Sequence, residues 1–284
     1  MIVYLDGKFV PEAEAVIPVS DRAFLLGDGL FETLLVHAGR PFRWPQHWQR
    51  LVQGADFLRL KLPTDETRLG DAITKLIALN QTTAGILRLT VSRGSGVRGY
   101  SPRGADHPRV VITLHPLAPT PGAAPPTYRL ITSSLRVPAG DAVANFKTIN
   151  KLGNVLARAE AEAAHADEAL LLNTDGDITE AAAANVFAIE GDRVCTPPIA
   201  AGLLGGVTRG VVLELCRALE IPVSETRLTP ERLRASNGAF LTLSTLGLVA
   251  ATSLDGHPLP HSPLVATLQA AYQKLLESES AKAM

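Results

Sequence analysis

Residues 145–187 read NFKTINKLGNVLARAEAEAAHADEALLLNTDGDITEAAAANVF, and the order of signals along them decides the fold. Lys147 precedes an alanine-rich stretch with the composition of a helix. Glu168–Leu172 is a short apolar run, the pattern of a buried strand. Asp175-Gly176 then marks a tight turn, and the segment closes on Thr179-Glu180 and Asn185-Val186-Phe187. Most lysines are solvated surface charges. This one is expected at a strand–helix junction, because a strand is expected from Tyr128 and the helix just after Lys147. The turn delivers a carboxylate, Glu180, and Ala181–Ala184 behind it leave room for a flat ring to approach.

Outward from this segment the chain divides in two. Residues 2–5 and 8–10 alternate around Asp6-Gly7, a hairpin signal. Phe31–His37 reads as a strand ending at the Ala38-Gly39 turn. Pro45 opens a helix, QHWQRLVQGADFLRL, that puts Trp48, Leu51, Ala55 and Leu58 on one face. Residues 65–79 predict a second helix; 86–92 and 109–114 predict strands. Together these make an α+β domain over residues 1–115. Five prolines between His115 and Thr127 predict a stiff extended linker over residues 116–127. The second domain, 128–284, holds the Lys147 segment, a helix over 208–219, a strand over 239–243 and a helix over 264–276. The small, polar tail from residue 277 is expected to fray.

With 284 residues, the chain is long enough for two cores. Hydrophobic residues at 46% and charged residues at 19% give an ordinary globular balance. A formal net charge of −1 sets up no field that would gather nucleic acid or an anionic membrane. No apolar run reaches the roughly 18 residues a membrane span needs. The opening MIVYLDGKFV reads as strand and turn, so a secretory signal is not expected. Cys195 and Cys216, isolated in the sequence, read as small core hydrophobes in a reducing compartment. A cytoplasmic protein with no nucleic-acid or membrane partner is expected.

A lysine and a glutamate placed in this way suit pyridoxal 5'-phosphate. Its aldehyde takes a lysine as a Schiff base, and its ring nitrogen wants an acidic partner. Glu180, ionised against that nitrogen, would keep it protonated, so that the ring draws electrons from the substrate Cα. Leu203-Leu204-Gly205-Gly206-Val207-Thr208-Arg209 carries a third signal. Two glycines let the backbone come close to an oxyanion, Thr208 is placed to cap the helix that follows, and the first amides of that helix suit a phosphate. Ser244-Thr245, ending an apolar strand, add two hydroxyls. Arg50 adds a charge-assisted partner for the same phosphate.

These pieces resemble the class IV (fold type IV) pyridoxal-phosphate enzymes, which include branched-chain aminotransferases, D-amino acid aminotransferases and aminodeoxychorismate lyases. The resemblance runs from Ser20 to about Gly256. It rests on SDRAFLLGDGLFETLLV at 20–36, HWQRL at 47–51, RGSGVRGYS at 93–101, the Lys147 segment, TEAAAANVF at 179–187 and GGVTR at 205–209. It implies a two-domain α+β fold with a smaller N-terminal domain and a larger C-terminal domain holding a barrel-like sheet. In its terms Lys147 is the Schiff-base lysine and Glu180 the ring-nitrogen partner. Arg50, Gly206, Val207, Thr208, Ser244 and Thr245 form the phosphate cup, and Leu204 packs on the cofactor ring. Lys151 is a rival, but the family pattern K-x-x-N favours Lys147 with Asn150. Phe31, Thr33, Arg93, Arg98, Tyr100 and Leu246 are the substrate candidates, the arginines as carboxylate traps. The resemblance also implies a homodimer in which residues 93–103 act in the partner's site.

The same resemblance leaves the activity open between members. D-amino acid aminotransferases carry a tyrosine and an Arg-x-His trap where this chain has Phe31 and Arg98-Gly99-Tyr100. Branched-chain enzymes usually follow the lysine with a tyrosine-bearing segment, and here Ile149-Asn150-Lys151-Leu152 stands instead. RGSGVRGYS, Thr33 and ADEAL at 166–170 look most like aminodeoxychorismate lyases, which release 4-aminobenzoate and pyruvate. FETLLV and the apolar Leu246-Gly247-Leu248 favour a transaminase working on amino and 2-oxo acids, which is the expectation taken forward. A cofactor-free binding protein on the same scaffold is the remaining alternative.

Overall fold

In the computed structural model, which describes residues 1–117 and 125–281, packing separates the chain into two units. The first comprises Met1–Pro121, Phe146–Asn150 and Leu276–Met284, and the second Gly122–Asn145 and Lys151–Leu275. Lys147 therefore groups with the N-terminal elements and not with the helix that follows it.

The first unit contains β1 (Ile2–Leu5), β2 (Lys8–Pro11), α1 (Arg22–Leu26), β3 (Gly29–His37), β4 (Arg40–Pro41), α2 (Trp44–Leu58), α3 (Glu66–Leu79), β5 (Gly85–Ser92) and β6 (Arg109–Pro116). Its strands form one sheet in the order β2-β1-β6-β5-β3-β4. β3 and β5 pair antiparallel from Gly29 opposite Ser92 to Val36 opposite Gly85, with Phe31 opposite Thr90 and Thr33 opposite Arg88. Side chains alternate across a strand, so Leu30, Leu34 and Val36 of β3 and Leu87, Leu89 and Val91 of β5 share the buried face. Leu51 and Ala55 of α2 and Leu69, Ile73 and Leu76 of α3 close that core, and Trp48 and Leu58 pack at its margin. Asp65, expected as the first residue of this helix, is its N-cap and accepts from the Arg68 amide.

The second unit contains β7 (Thr127–Val137), α4 (Leu152–Ala163), β8 (Glu168–Asn173), β9 (Ile178–Ala181), β10 (Asn185–Glu190), β11 (Arg193–Thr196), α5 (Val207–Ala218), β12 (Val223–Glu225), α6 (Pro230–Arg234), β13 (Gly238–Leu243), β14 (Gly247–Leu254), β15 (His257–Pro258) and most of α7 (Pro263–Ala281), whose end from Leu276 groups with the first. One nine-stranded sheet runs β12-β11-β10-β13-β14-β7-β8-β9, with β15 beside β14, and curls into a half-barrel. Every residue of β8 is buried, which is why it reads as a continuous apolar run. Cys195 and Cys216 are buried and free. No helix among the described residues is long and apolar enough to cross a membrane.

Three expectations need correction. The tail does not fray from residue 277: α7 continues to Ala281, with Glu279 paired to Arg43 at 2.9 Å and Ser280 Oγ hydrogen-bonded to His37 Nδ1 at 3.0 Å. Strand structure also reaches into both ends of the expected linker, since β6 ends at Pro116 and β7 begins at Thr127; residues 118–124 lie outside the described residues. Finally, β7 ends at Val137, ten residues short of Lys147, so that lysine does not sit at a strand–helix junction.

Candidate functional site

Lys147 is held by the edge of β3. Phe31 N–H donates to the Lys147 carbonyl at 2.9 Å, Ile149 N–H donates to the Gly29 carbonyl at 3.0 Å, and Leu30 and Thr148 form an antiparallel bridge. Gly29 permits this approach: a Cβ there would lie 2.5 Å from the Val91 carbonyl oxygen and 2.6 Å from Ile149 Cδ1. Phe146 stacks on Phe57 with ring centroids 4.2 Å apart. The Lys147 Nζ lies 4.2 Å from the centroid of the Phe31 ring. Lys151, by contrast, occupies the N-cap position of α4 and shares no helix with Lys147.

Phe31 and Thr33 lie on the face of β3 opposite the core. The Arg88 guanidinium carbon sits 3.9 Å from the Phe31 centroid, and burial pushes the Arg88 group below its ordinary value. Sequence reasoning missed Arg88, although its place between Leu87 and Leu89 of an alternating strand marks it as facing away from the core. Glu32, on the core face, was missed as well. Its carboxylate takes Arg50 Nε at 2.9 Å and Arg50 Nη2 at 2.6 Å, and shares a hydrogen bond with His47 Nδ1 at 2.7 Å. Burial alone would raise Glu32. The Arg50 charge, the Arg50 hydrogen bonds and the His47 bond outweigh it and hold the carboxyl at about 2. Burial pushes His47 down, and the Arg50 and Lys147 charges add to that against the pull of Glu32.

The arginine loop separates into clamps and exposed groups. Arg93 is buried: its Nε meets Asp28 at 2.9 Å, Nη1 donates to the Arg59 carbonyl and Nη2 to the Leu58 carbonyl. Engaged in this way, Arg93 braces the end of α2. Arg22 plays a matching part, pairing with Asp28 at 2.8 Å and donating to the carbonyls of Gly99, Tyr100 and Ser101. The loop it pins carries Arg98 and Tyr100, both exposed, Tyr100 at 89%.

In the second unit, Glu180 lies on β9 opposite Leu171, and its Oε2 accepts the Leu204 N–H at 3.1 Å. Asn185 Nδ2 donates to the Leu204 carbonyl at 2.8 Å, so Leu204 is gripped at both backbone groups. Gly206 is the N-cap of α5, where no side chain caps the helix. A Cβ on Gly206 would lie 2.0 Å from Asn185 Oδ1. Thr208 is therefore not the cap expected of it; it is a buried residue of the first turn. Val207 opens that turn, and Arg209 anchors it through Glu225 at 2.7 Å and the Pro197 carbonyl. Ser244 and Thr245 are half-buried in the β13–β14 turn, and Leu246 beside them is exposed. Thr242, paired with Asn185 across β10 and β13, has a buried hydroxyl with no hydrogen-bond partner.

This donor set fits pyridoxal phosphate. A helix start with no side-chain cap, a glycine N-cap where a Cβ would strike Asn185 Oδ1, two turn hydroxyls and an orphaned buried hydroxyl on the strand that packs against α5 suit an anion. Glu180 carries a carboxylate on β9 of the second unit, and Lys147 of the first an amine on backbone hydrogen-bonded to β3.

Comparison with known proteins gives the following likenesses. The model of the amino-transferase class IV family matches residues 29–254. A Methanocaldococcus jannaschii protein provisionally named branched-chain-amino-acid aminotransferase is 33% identical over 257 residues, 90% of this chain and 88% of that one. The D-alanine aminotransferase of Bacillus licheniformis is 28% identical over 289 residues, 99% of each chain. Among solved structures, the 4-amino-4-deoxychorismate lyase of Pseudomonas aeruginosa superposes with a TM-score of 0.85 at 29% identity, over 96% of this chain and 98% of that one.

Proposed function

The chain belongs to the amino-transferase class IV family of pyridoxal-phosphate-dependent enzymes, and we propose that it is a transaminase moving an amino group between an amino acid or amine and a 2-oxo acid. One observation supports the pyridoxal-phosphate chemistry: the Lys147 amine stands on a backbone zipped to β3, over the Phe31 ring; the choice of transamination rests on the apolar Leu246-Gly247-Leu248 and the likeness to aminotransferases.

When bound, pyridoxal phosphate supplies the carbonyl that captures amino groups and the ring that takes up electrons from Cα. Lys147 Nζ would hold the cofactor and, with an amino substrate bound, would take the proton from the substrate Cα and return it one position away. Glu180 holds the proton on the ring nitrogen. Arg50, the backbone amides of Val207 and Thr208, and the Ser244 and Thr245 hydroxyls bind the phosphate, with Gly206 allowing the approach. Leu204 packs on the ring. Phe31, Thr33 and Leu246 shape the side-chain space, while Arg88 and Arg98 meet carboxylates. Amino donor and oxo acid take turns at the same lysine, so the kinetics are ping-pong. The protein is a homodimer, which would cover the exposed Val19, Phe24 and Leu25 of the first unit and Leu152 and Val155 of the second. Its compartment is the cytoplasm, in keeping with two free thiols.

A second reading, elimination of pyruvate from aminodeoxychorismate to give 4-aminobenzoate, is favoured by the RGSGVRGYS loop and by the likeness to the Pseudomonas aeruginosa lyase. Lys147 would move the same Cα proton in either reaction. Purified protein is assayed with amino donors plus 2-oxo acids and, separately, with aminodeoxychorismate; amino transfer without 4-aminobenzoate is the expected result, and the reverse result overturns the transaminase. Borohydride reduction of the loaded protein followed by peptide mapping should label the Lys147 peptide. An unlabelled Lys147 would leave a binding protein without covalent chemistry.

A further inference from the structure

Glu32 sits where a carboxylate is costly. It points from β3 to the face it shares with Leu30, Leu34 and Val36, and its side chain is 1% exposed. A buried charge survives only when it is paired and hydrogen-bonded. The pairing comes from α2, where His47 and Arg50 are three residues apart and lie on one face of the helix. Arg50 grips the carboxylate with two prongs, Nε to Oε1 and Nη2 to Oε2. The plane of the guanidinium is thus set by two bonds to a buried group and not by its own flexible stem. An ionised carboxylate can only accept, so His47 Nδ1 donates to Oε2 and fixes the carboxylate rotamer. Core packing does not explain this cluster: the neighbouring inward positions of β3 are all aliphatic, and a leucine at position 32 would meet the same demand.

We infer that Glu32 is a positioning residue for the cofactor phosphate, orienting the Arg50 guanidinium that binds it. The inference rests on the reading above, in which Arg50 meets the phosphate. Held at about 2, Glu32 stays ionised at any pH where the enzyme works. Burial pushes His47 down, against the pull of Glu32. An arriving phosphate therefore meets a guanidinium held in one orientation.

The test separates orientation from mere stability by using a cofactor form that lacks the phosphate. Full-length protein stripped of cofactor is titrated with pyridoxal phosphate and with pyridoxal, following cofactor absorbance. Glu32→Gln and Arg50→Gln are each expected to weaken pyridoxal phosphate about tenfold and to leave pyridoxal unchanged. If Arg50→Gln weakens pyridoxal phosphate and Glu32→Gln does not, the positioning role is overturned while the phosphate reading stands. If neither does, the phosphate reading of Arg50 fails and takes the inference with it. Equal loss of both cofactor forms in Glu32→Gln would make Glu32 a structural residue only. Should Glu32→Gln not fold, Glu32→Asp, which keeps the charge but is one methylene too short for the two-pronged grip, is read in the same way.

Discussion

Lys147 and Lys151 are four positions apart and chemically alike, yet they are held differently. Lys147 lies over the Phe31 ring on a segment hydrogen-bonded to β3, whereas Lys151 begins α4. Lys147→Ala is therefore expected to lower turnover by several orders of magnitude and to remove the borohydride label. Lys151→Ala should keep both, as steady-state kinetics and peptide mapping will report. Glu32 makes a prediction about pH. Its folded carboxyl, at about 2, lies below the ordinary 4.5. The stabilisation it contributes is thus fully present above about pH 4.5 and is lost as pH falls through 2, with a magnitude on the order of 3 kcal/mol. In urea unfolding, the gap between wild type and Glu32→Gln should be widest at pH 7 and close toward pH 2; a gap independent of pH would mean the ion pair is not its source. Glu32 was legible in principle, as the one charge at an inward position of an alternating strand. Arg93 was not, because sequence cannot distinguish a guanidinium engaged by Asp28 and two carbonyls from one that awaits a substrate.

At the level of elements, two glycines decide whether the site assembles. Gly29 admits the Lys147 segment to the edge of β3, and a methyl group there meets the Val91 carbonyl oxygen, a backbone atom that cannot swing away. Gly29→Ala should destabilise the protein by roughly 2 kcal/mol in urea and slow borohydride labelling of Lys147. Gly206→Ala meets a side chain instead, Asn185 Oδ1, whose amide is already committed to the Leu204 carbonyl. About a tenfold loss of pyridoxal phosphate affinity is expected, partly restored by adding Asn185→Ala; no restoration would place the fault elsewhere. Helices and strands were mostly legible because their periodicities differ: 65–79 and 86–92 were predicted within a residue of α3 and β5. The cap of α5 was misplaced by two residues, since a glycine N-cap has no side chain to announce it.

For the molecule as a whole, exposed apolar side chains remain to be accounted for. Val19, Phe24 and Leu25 are 81%, 75% and 58% exposed, a grouping that a monomer in water would carry at a cost. Light scattering is expected to give twice the chain mass, and Phe24→Glu to shift it toward one; an unchanged mass would mean that Phe24 lies outside the interface. From the amino-acid order alone came the α+β class, the family resemblance, and the lysine and glutamate that go with pyridoxal phosphate. Those rest on local periodicity and on residue types at short spacings, which a linear text preserves. Only the folded chain assigned Lys147 to the N-terminal unit, paired Glu32 with Arg50 from 18 residues away, and engaged Arg93 with Asp28 and the end of α2. Each of these depends on which distant groups share a strand edge or a buried face, and that is decided by packing and hydrogen-bond satisfaction across the whole unit.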